Sequence, residues 1–395
     1  MILNVKSIYF QAGLGLILAA GLACGGSGKA ASETPPTSTG GTMNVRLVDA
    51  PSPQFKEINL NIQKVEIHQS GSANGSGWIT LGIPNRTINL LTLTGGISET
   101  LVAGASLPPG HYEQMRLLLG TGNNVKLQDG SIADLTVPSG VQSGVKLPGS
   151  FTVVAGTTSD VFIDFDAAHS IQLKTAGASS QFILRPVVKA FDKAVTGSIS
   201  GTLTVSGTGA PLVGATVFAE TYDDAGNISV ARAVTTSASG TYTLDLLPIG
   251  QSYFIVSQPV SGGVSFNAQS SAAIALTTSS PTFQFNTAFT AAVGIGSVSG
   301  TITQAASMDQ SDEIHLMQTL STGGTGQANL IIRSGLAVIS NPETYTFEAV
   351  PTGNYAVVGI RTTVDATGTA TTQRSPLSAT FSVLAGLVAS VGISL

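Results

Sequence analysis

The chain has 395 residues, 42 % of them hydrophobic and only 10 % charged, with 46 glycines and a net charge of -5. So large an apolar share argues against a disordered chain, and 17 lysines and arginines scattered singly form no basic stripe, which argues against a nucleic-acid partner. The single cysteine, Cys24, leaves no intramolecular disulfide, so stability must come from apolar cores, which domains of about a hundred residues can supply.

Residues 1–23 carry Lys6 near the front, an apolar run from Ile8 through Leu22 broken only by Gln11, and a small-residue exit at Ala19, Ala20, Gly21 and Ala23. A positive start, a short apolar segment and small residues make a signal peptide. The run is shorter than the roughly 20 residues of a membrane span. The Ala23–Cys24 junction resembles the lipobox of bacterial lipoproteins. It departs from that pattern at Gly21, where the family usually has Leu; Leu22 stands one place later. The resemblance implies that Cys24 is acylated, as a palmitate-bearing first residue of the mature protein, and that the membrane is a partner through this lipid anchor. Gly25 stands where an inner-membrane retention Asp would sit, so the resemblance favours the outer membrane if the host has two. Two or more acyl chains anchor a protein stably without a spanning helix. Residues 24–41 end in GGSGKAASETPPTSTGG, which has no hydrophobic pattern and reads as a disordered tether, stiffened at Pro35–Pro36.

A first β domain is expected over residues 42–193. Met43, Val45 and Leu47 alternate with Asn44 and Arg46, the period of a strand with one buried face. Over residues 57–68 Ile58, Leu60 and Ile62 share one face, then the phase jumps to Val65 and Ile67, the signature of a β-bulge. Asn74–Gly75 and Ser76–Gly77 predict a turn before Trp78, which reads as a core plug. Further strands are predicted over 88–93, 112–119, 151–154, 161–165 and 182–191. The ordered motifs RLVDAP (46–51), INLLTL (88–93), LPPGHYEQMRLLL (107–119), VFIDFDA (161–167) and FILRPVVK (182–189) resemble the bacterial lipoprotein domain of unknown function DUF4382. That resemblance implies a β-sandwich-like module and brings no established activity.

The rest of the chain is organised around a repeat. GTYTLDLLPIGQSYFIVS (240–257) returns as TYTFEAVPTGNYAVVGIR (344–361), with Tyr242, Leu244 and Leu246 answered by Tyr345, Phe347 and Ala349. Polar residues fill the gaps, Pro fixes φ, and Gly two places on supplies turn angles before a second strand leaves at Tyr253 or Tyr355. Pro108, Gly110 and Tyr112 echo the same hairpin. TGSISGTLT (196–204) and GSVSGTIT (296–303) read as matching first strands. With PLVGATV (211–217) after the first, residues 195–292 resemble the carboxypeptidase-regulatory-like (transthyretin-like) β-sandwich, a spacer on many exported proteins. Residues 296–395 lack the Pro-x-x-Gly-Ala element and read as a diverged copy.

Candidate chemistry is sparse. Asp164 and Asp166 share a strand face and, with His169 and Asp49 nearby, their oxygens could converge on a hard cation such as Ca²⁺. The plainer reading is a solvated strand end. Asp223, Asp224 and Asn227 read as a hairpin turn. His68, His111, His169 and His315 show no zinc-ligand spacing, and no G-x-S-x-G elbow is present. Paired carboxylates of a glycosidase meet only in a fold, and acidic residues are few. The expectation is therefore an all-β chain of tandem β-sandwich modules, not an enzyme and without a required cofactor, lipid-anchored in the cell envelope and structural, adhesive or ligand-presenting. Its ligand would be an extracellular protein or a glycan. The rival reading is a carbohydrate-binding module for glycan capture, which predicts a row of exposed aromatics. A hydrolase, with two acids meeting in a cleft, stands third.

Overall fold

The computed structural model describes residues 40–395 except 50–54, 73–75, 94–96, 128, 138–143, 166–169, 177–178, 185–187, 194–195, 224, 304–309, 339–341 and 365–369. The expected signal peptide, Cys24 and all but the last residues of the tether lie outside the described residues. Among the described residues no helix is long and apolar enough to cross a membrane. The chain is all-β, as its composition and period-two patterning require, and its strands stack into successive two-sheet modules.

Module one is built on the 15-residue strand Phe55–Gln69. It pairs along its length with Asn124–Leu127, Arg86–Asn89, Trp78–Gly82 and Gly110–Leu119, and is the hub of a nine-stranded sheet. Its register against Gly110–Leu119 shifts between Ile62 and Lys64. That bulge lets Ile58, Leu60, Ile62, Val65 and Ile67 all reach the core despite the change of phase. Facing it, a four-stranded sheet runs in the order Val188–Asp192, Thr158–Phe165, Gly41–Asp49, Glu99–Leu107, with Gly41–Asp49 parallel to Thr158–Phe165. Met43, Val45, Leu47, Val161, Ile163 and Phe165 close the core from this side.

Two expected strands are redrawn. The strand predicted over 88–93 ends at Asn89, where the Asn89 side chain accepts from the Leu91 backbone N–H at 3.2 Å and starts a 3-10 turn, Leu90–Thr92. The run predicted over 182–191 divides into Ser179–Leu184 and Val188–Asp192, which belong to different sheets. Within module one, five described strands went unread: Trp78–Gly82, Glu99–Leu107, Asn124–Leu127, Ile132–Thr136 and Ile171–Ala176.

Modules two and three share one topology. In module two, Thr196–Val205 lies between Thr241–Pro248 and Thr282–Gln284, while the second sheet runs Ile228–Thr235, Thr216–Tyr222, Ser252–Ser257, Gln269–Ser270. In module three, Ile295–Ile302 lies between Glu343–Pro351 and Val388–Ser390, and the second sheet runs Gln327–Leu336, Gln310–Ser321, Gly353–Val364, Ala370–Arg374. The recurrence of Ser-Gly-Thr in both first strands has a steric cause. A Cβ on Gly201 would sit 1.8 Å from the Phe285 carbonyl oxygen, and one on Gly300 1.8 Å from that of Val391. The same two carbonyls accept from the buried tyrosine hydroxyls opposite, Tyr242 at 2.7 Å and Tyr345 at 2.6 Å. Glycine is what lets strand, tyrosine and carbonyl meet.

The Pro-x-Gly hairpin also has a common lock, and module one shares it. Tyr112 donates to the Pro108 carbonyl at 2.9 Å, Tyr253 to that of Pro248 at 2.7 Å, and Tyr355 to that of Pro351 at 2.7 Å. All three rings are among the largest fully buried side chains. Burial pushes the Tyr253 and Tyr355 hydroxyls up to about 12, so each stays a donor.

Candidate functional site

Asp164 lies on Thr158–Phe165, and its Oδ1 accepts from Arg232 Nη1 of module two at 3.1 Å. Asp166 and His169 lie outside the described residues. Asp49 is buried at the end of its strand, its backbone N–H donating to the Leu93 carbonyl. Among the described residues no three His, Cys, Asp or Glu side chains converge as metal ligands. Asp223 and Asn227 form the expected turn: Asp223 Oδ1 accepts from the backbone N–H groups of Ala225 and Asn227, and Gly226 takes φ +78°.

Trp78 is not a core plug. It is half-buried, with the Arg116 guanidinium 4.0 Å above its ring and His68 packed against its edge. Arg116 is held there by Glu66, through Nε at 2.7 Å and Nη2 at 2.6 Å. Burial works to raise the Glu66 carboxyl, but Arg116 and then Lys64 outweigh it and hold it below the usual range. A Trp face already covered by a paired Arg is not an open sugar platform.

The structure brings together a different set, at the seam between modules one and two. The outer face of the four-stranded sheet presents Asp160 and Phe162 beside Arg46, in register with it across the parallel pair. Module two adds Asp245, and Ser98 and Lys193 complete a groove of about 240 Å³. Asn44 Nδ2 donates to Asp160 at 2.8 Å, and Lys193 Nζ lies 5.7 Å from the Phe162 ring. Two cations and two carboxylates around an aromatic edge suit a small polar molecule carrying charge of either sign. No histidine stands beside Ser98 among the residues that line the groove.

Beside the groove, module two reaches module one through Leu246. Opposite the bulge between Gly197 and Ile199, Leu246 adopts φ +61°, and its side chain leaves its own core to pack with Val48 and Phe162 of module one. Module three repeats the device: Ala349, opposite the bulge between Gly296 and Val298, adopts φ +52°. Its carbonyl accepts from Ser265 of module two at 2.6 Å and from Arg333 Nη2 at 2.9 Å. Each copy of the repeat uses the same bulge to touch the module before it.

At the second seam the contact is much larger. Phe218, Ile228, Phe254 and Val256 of module two share one core cluster with Ile314, Leu330, Val357 and the rest of module three's interior. Arg333 donates through Nε to Gln258 Oε1 of module two at 2.5 Å and through Nη1 to the Glu348 carbonyl. Burial pushes Arg333 down to about 10, so it stays charged at neutral pH. Ser270 donates to the Ser321 carbonyl at 2.7 Å. Glu220 of module two, wholly buried, accepts from the Ile331 backbone N–H of module three at 3.0 Å. Deeper in module three, Arg361 grips Asp312 with two bonds, at 2.8 and 2.5 Å. Burial, and then the neighbouring Asp312 carboxyl, push Glu343 up to about 8.

None of Glu220, Arg232, Arg333, Arg46 or Asp245 stood out in the sequence. One signal was there: TVFAETY and SYFIVS are apolar on both faces of the strand, which marks a sheet buried on both sides.

No curated protein matches the chain. Among solved structures, the Bacillus anthracis TIE protein is 12 % identical, with 90 % of this chain and 50 % of that one covered at a TM-score of 0.20. A streptococcal ancillary pilin is 10 % identical, with 89 % and 98 % covered at 0.20, and shaft pilin SpaA of Lactobacillus rhamnosus GG 8 % identical, with 50 % and 98 % covered at 0.19. The chain thus spans half the length of the first of these, and overlap this low carries no functional inference. The family comparison is sharper and agrees with the motif order of the first module: residues 40–186 match the family described as Domain of unknown function (DUF4382).

Proposed function

We propose that this chain is a lipid-anchored protein of the cell envelope, structural or adhesive, in which the tether joins the anchor to module one with its groove, and modules two and three extend the stack beyond it. The observation that carries the reading is the pair of bonded seams. A serial stack whose modules each dock on the preceding one through the same bulge is a stiff presenting device. Module two serves as a carboxypeptidase-regulatory-like spacer and module three as its diverged copy. Cys24, acylated, fixes the chain to the outer membrane where the host has two, and residues 24–41 tether it. The groove of Arg46, Lys193, Asp160 and Asp245 is the ligand-presenting surface, with an extracellular protein or glycan as its partner.

Two experiments test this. Wild type should incorporate labelled palmitate and sediment with membranes, and Cys24→Ser should do neither; full membrane retention of Cys24→Ser would end the anchoring claim. The soluble full-length Cys24→Ser chain should then be melted with a panel of polysaccharides and with Ca²⁺ or EDTA. A ligand at a hundred times its Kd stabilises what it binds by about 2.7 kcal/mol. A glycan shift abolished by Arg46→Ala would convert the reading to glycan capture through the groove. Exposed aromatics of module two, Tyr222 and Phe283, lie on different sheets, so a glycan shift insensitive to the groove would need another surface. A Ca²⁺ shift lost in Asp164→Asn would establish a cation at Asp164, Asp166 and His169.

A further inference from the structure

Glu220 is the odd residue of the second seam. It lies on Thr216–Tyr222, on the face it shares with Phe218, and is 0 % exposed. Its one bond crosses 111 residues of sequence to the Ile331 N–H, on Gln327–Leu336. That strand is the edge of module three's second sheet, and its register against Gln310–Ser321 shifts between Leu316 and Met317, the residue opposite Ile331. Docking therefore covers an edge strand that would otherwise be open to pairing with another chain, and Glu220 satisfies a backbone donor that docking buries. Its second oxygen, Oε1, is buried with no hydrogen-bond partner.

Among the described residues no charge compensates it. On the strands packed around it, Arg232 of Ile228–Thr235 is committed to Asp164, and Arg333 of Gln327–Leu336 to Gln258 and the Glu348 and Ala349 carbonyls. His315 of Gln310–Ser321 faces Glu313 at 3.2 Å. Arg374 of Ala370–Arg374 bonds the Ile228 carbonyl, and Tyr253 of Ser252–Ser257 the Pro248 carbonyl. An ionised carboxylate cannot be kept in such a place without a partner.

We propose that Glu220 is a proton-operated latch on the seam: uncharged, it accepts the Ile331 N–H and lets module three close on module two, and on losing its proton it drives the two faces apart. Burial, opposed only by the Ile331 N–H, pushes its carboxyl well above the ordinary 4.5. The sign follows. The closed state holds a proton that the open state releases, so closure is strongest below about pH 4.5 and weakens as pH rises towards the raised value, by at most tenfold in the closing equilibrium per pH unit. Opening would expose Phe218, Phe254 and Val256 together with the Gln327–Leu336 edge, an apolar surface beside unpaired backbone. The seam would thus be closed in an acidic surrounding and adhesive in an alkaline one.

The test is hydrogen exchange of the full-length Cys24→Ser chain between about pH 5 and pH 8, corrected for intrinsic exchange and read on Gln327–Leu336. Wild type should lose protection by up to tenfold per pH unit relative to Glu220→Gln, which keeps the acceptor for Ile331 and cannot ionise. The comparison with Glu220→Gln cancels the separate slope of Glu343. Identical pH dependence in the two proteins would overturn the proposal. Should Glu220→Gln fail to fold, the carboxyl carbon shift of Glu220 in wild type decides: titration together with the loss of protection supports the latch, and titration near 4.5 overturns it.

Discussion

The two seams are built from the same bulged hairpin and end in opposite regimes. Between modules one and two, Leu246 reaches a satellite cluster of three side chains, and an ion pair, Arg232 with Asp164, is 12 % and 22 % exposed. Between modules two and three the residue at the same place is Ala349, whose carbonyl accepts from the Ser265 hydroxyl, and the apolar faces behind it merge into one cluster. The seam with the long side chain at its bulge keeps a polar groove beside a small apolar contact; the seam with the short one is closed by a shared core. Modules two and three should therefore behave as one cooperative body and module one as an attached head.

The strongest way to break that comparison is to hollow the closed seam. Phe254→Ala removes an 8 %-exposed ring that packs edge-on against Tyr222 at 5.9 Å, at a cost of about 3 kcal/mol. Denaturant unfolding followed by probes in each module should show modules two and three losing stability together, with module one unmoved. Separate midpoints for two and three in wild type would refute their fusion. Gly300→Ala should cost somewhat less, about 2 kcal/mol, because a Cβ 1.8 Å from the Val391 carbonyl must push Val388–Ser390 away. If the modules are fused, this lesion in module three's first sheet also lowers the midpoint reported by module two.

A subtler test uses pH inside module three. Glu343 is held near 8 against an ordinary 4.5, so the folded module keeps a proton that the unfolded chain releases. Its stabilising effect is complete below about pH 4.5, declines as pH rises, and is gone above about 8. Melting Glu343→Gln and wild type in parallel should show the variant less sensitive to pH across that window. Equal slopes would mean that Arg361 outweighs burial and Asp312 and holds Glu343 ionised. Because Glu343 lies away from the seam, module two should follow only through the shared core.

How much of this was legible depends on the range of the cause. Tyr242, Tyr253, Tyr345 and Tyr355 sit in local patterns, alternation followed by Pro and Gly, so the hairpins could be read directly. The Ile62-to-Val65 phase jump was equally local. The short strands Asn124–Leu127 and Ile132–Thr136 were missed because four or five residues with few apolar ones carry no period. Asn89 was missed because its side chain competes with the ladder for a backbone N–H. The groove and the latch were missed for a different reason. Arg46, Asp160 and Asp245 look like solvated strand faces, and only the docking of another module makes them walls. Glu220 is the one charged residue of TVFAETY, and nothing local in the sequence tells what covers it.

The weakest expected effect addresses the open seam and the cation reading at once. Asp164 and Arg232 form a partly exposed pair, so Asp164→Asn should cost only about 0.5 kcal/mol, and less as salt is raised. Yet Arg232 competes with any cation for the same carboxylate, since a Ca²⁺ ion at Asp164 would have to displace or share Oδ1. Arg232→Ala therefore separates the two roles. If Asp164 only ties the modules together, Arg232→Ala mimics Asp164→Asn and Ca²⁺ changes neither melting curve. If Asp164 is a ligand, freeing it from Arg232 strengthens the Ca²⁺ shift of the full-length chain while Asp164→Asn abolishes it. The two variants then diverge, and module one is clamped to module two by a guanidinium that a cation can replace.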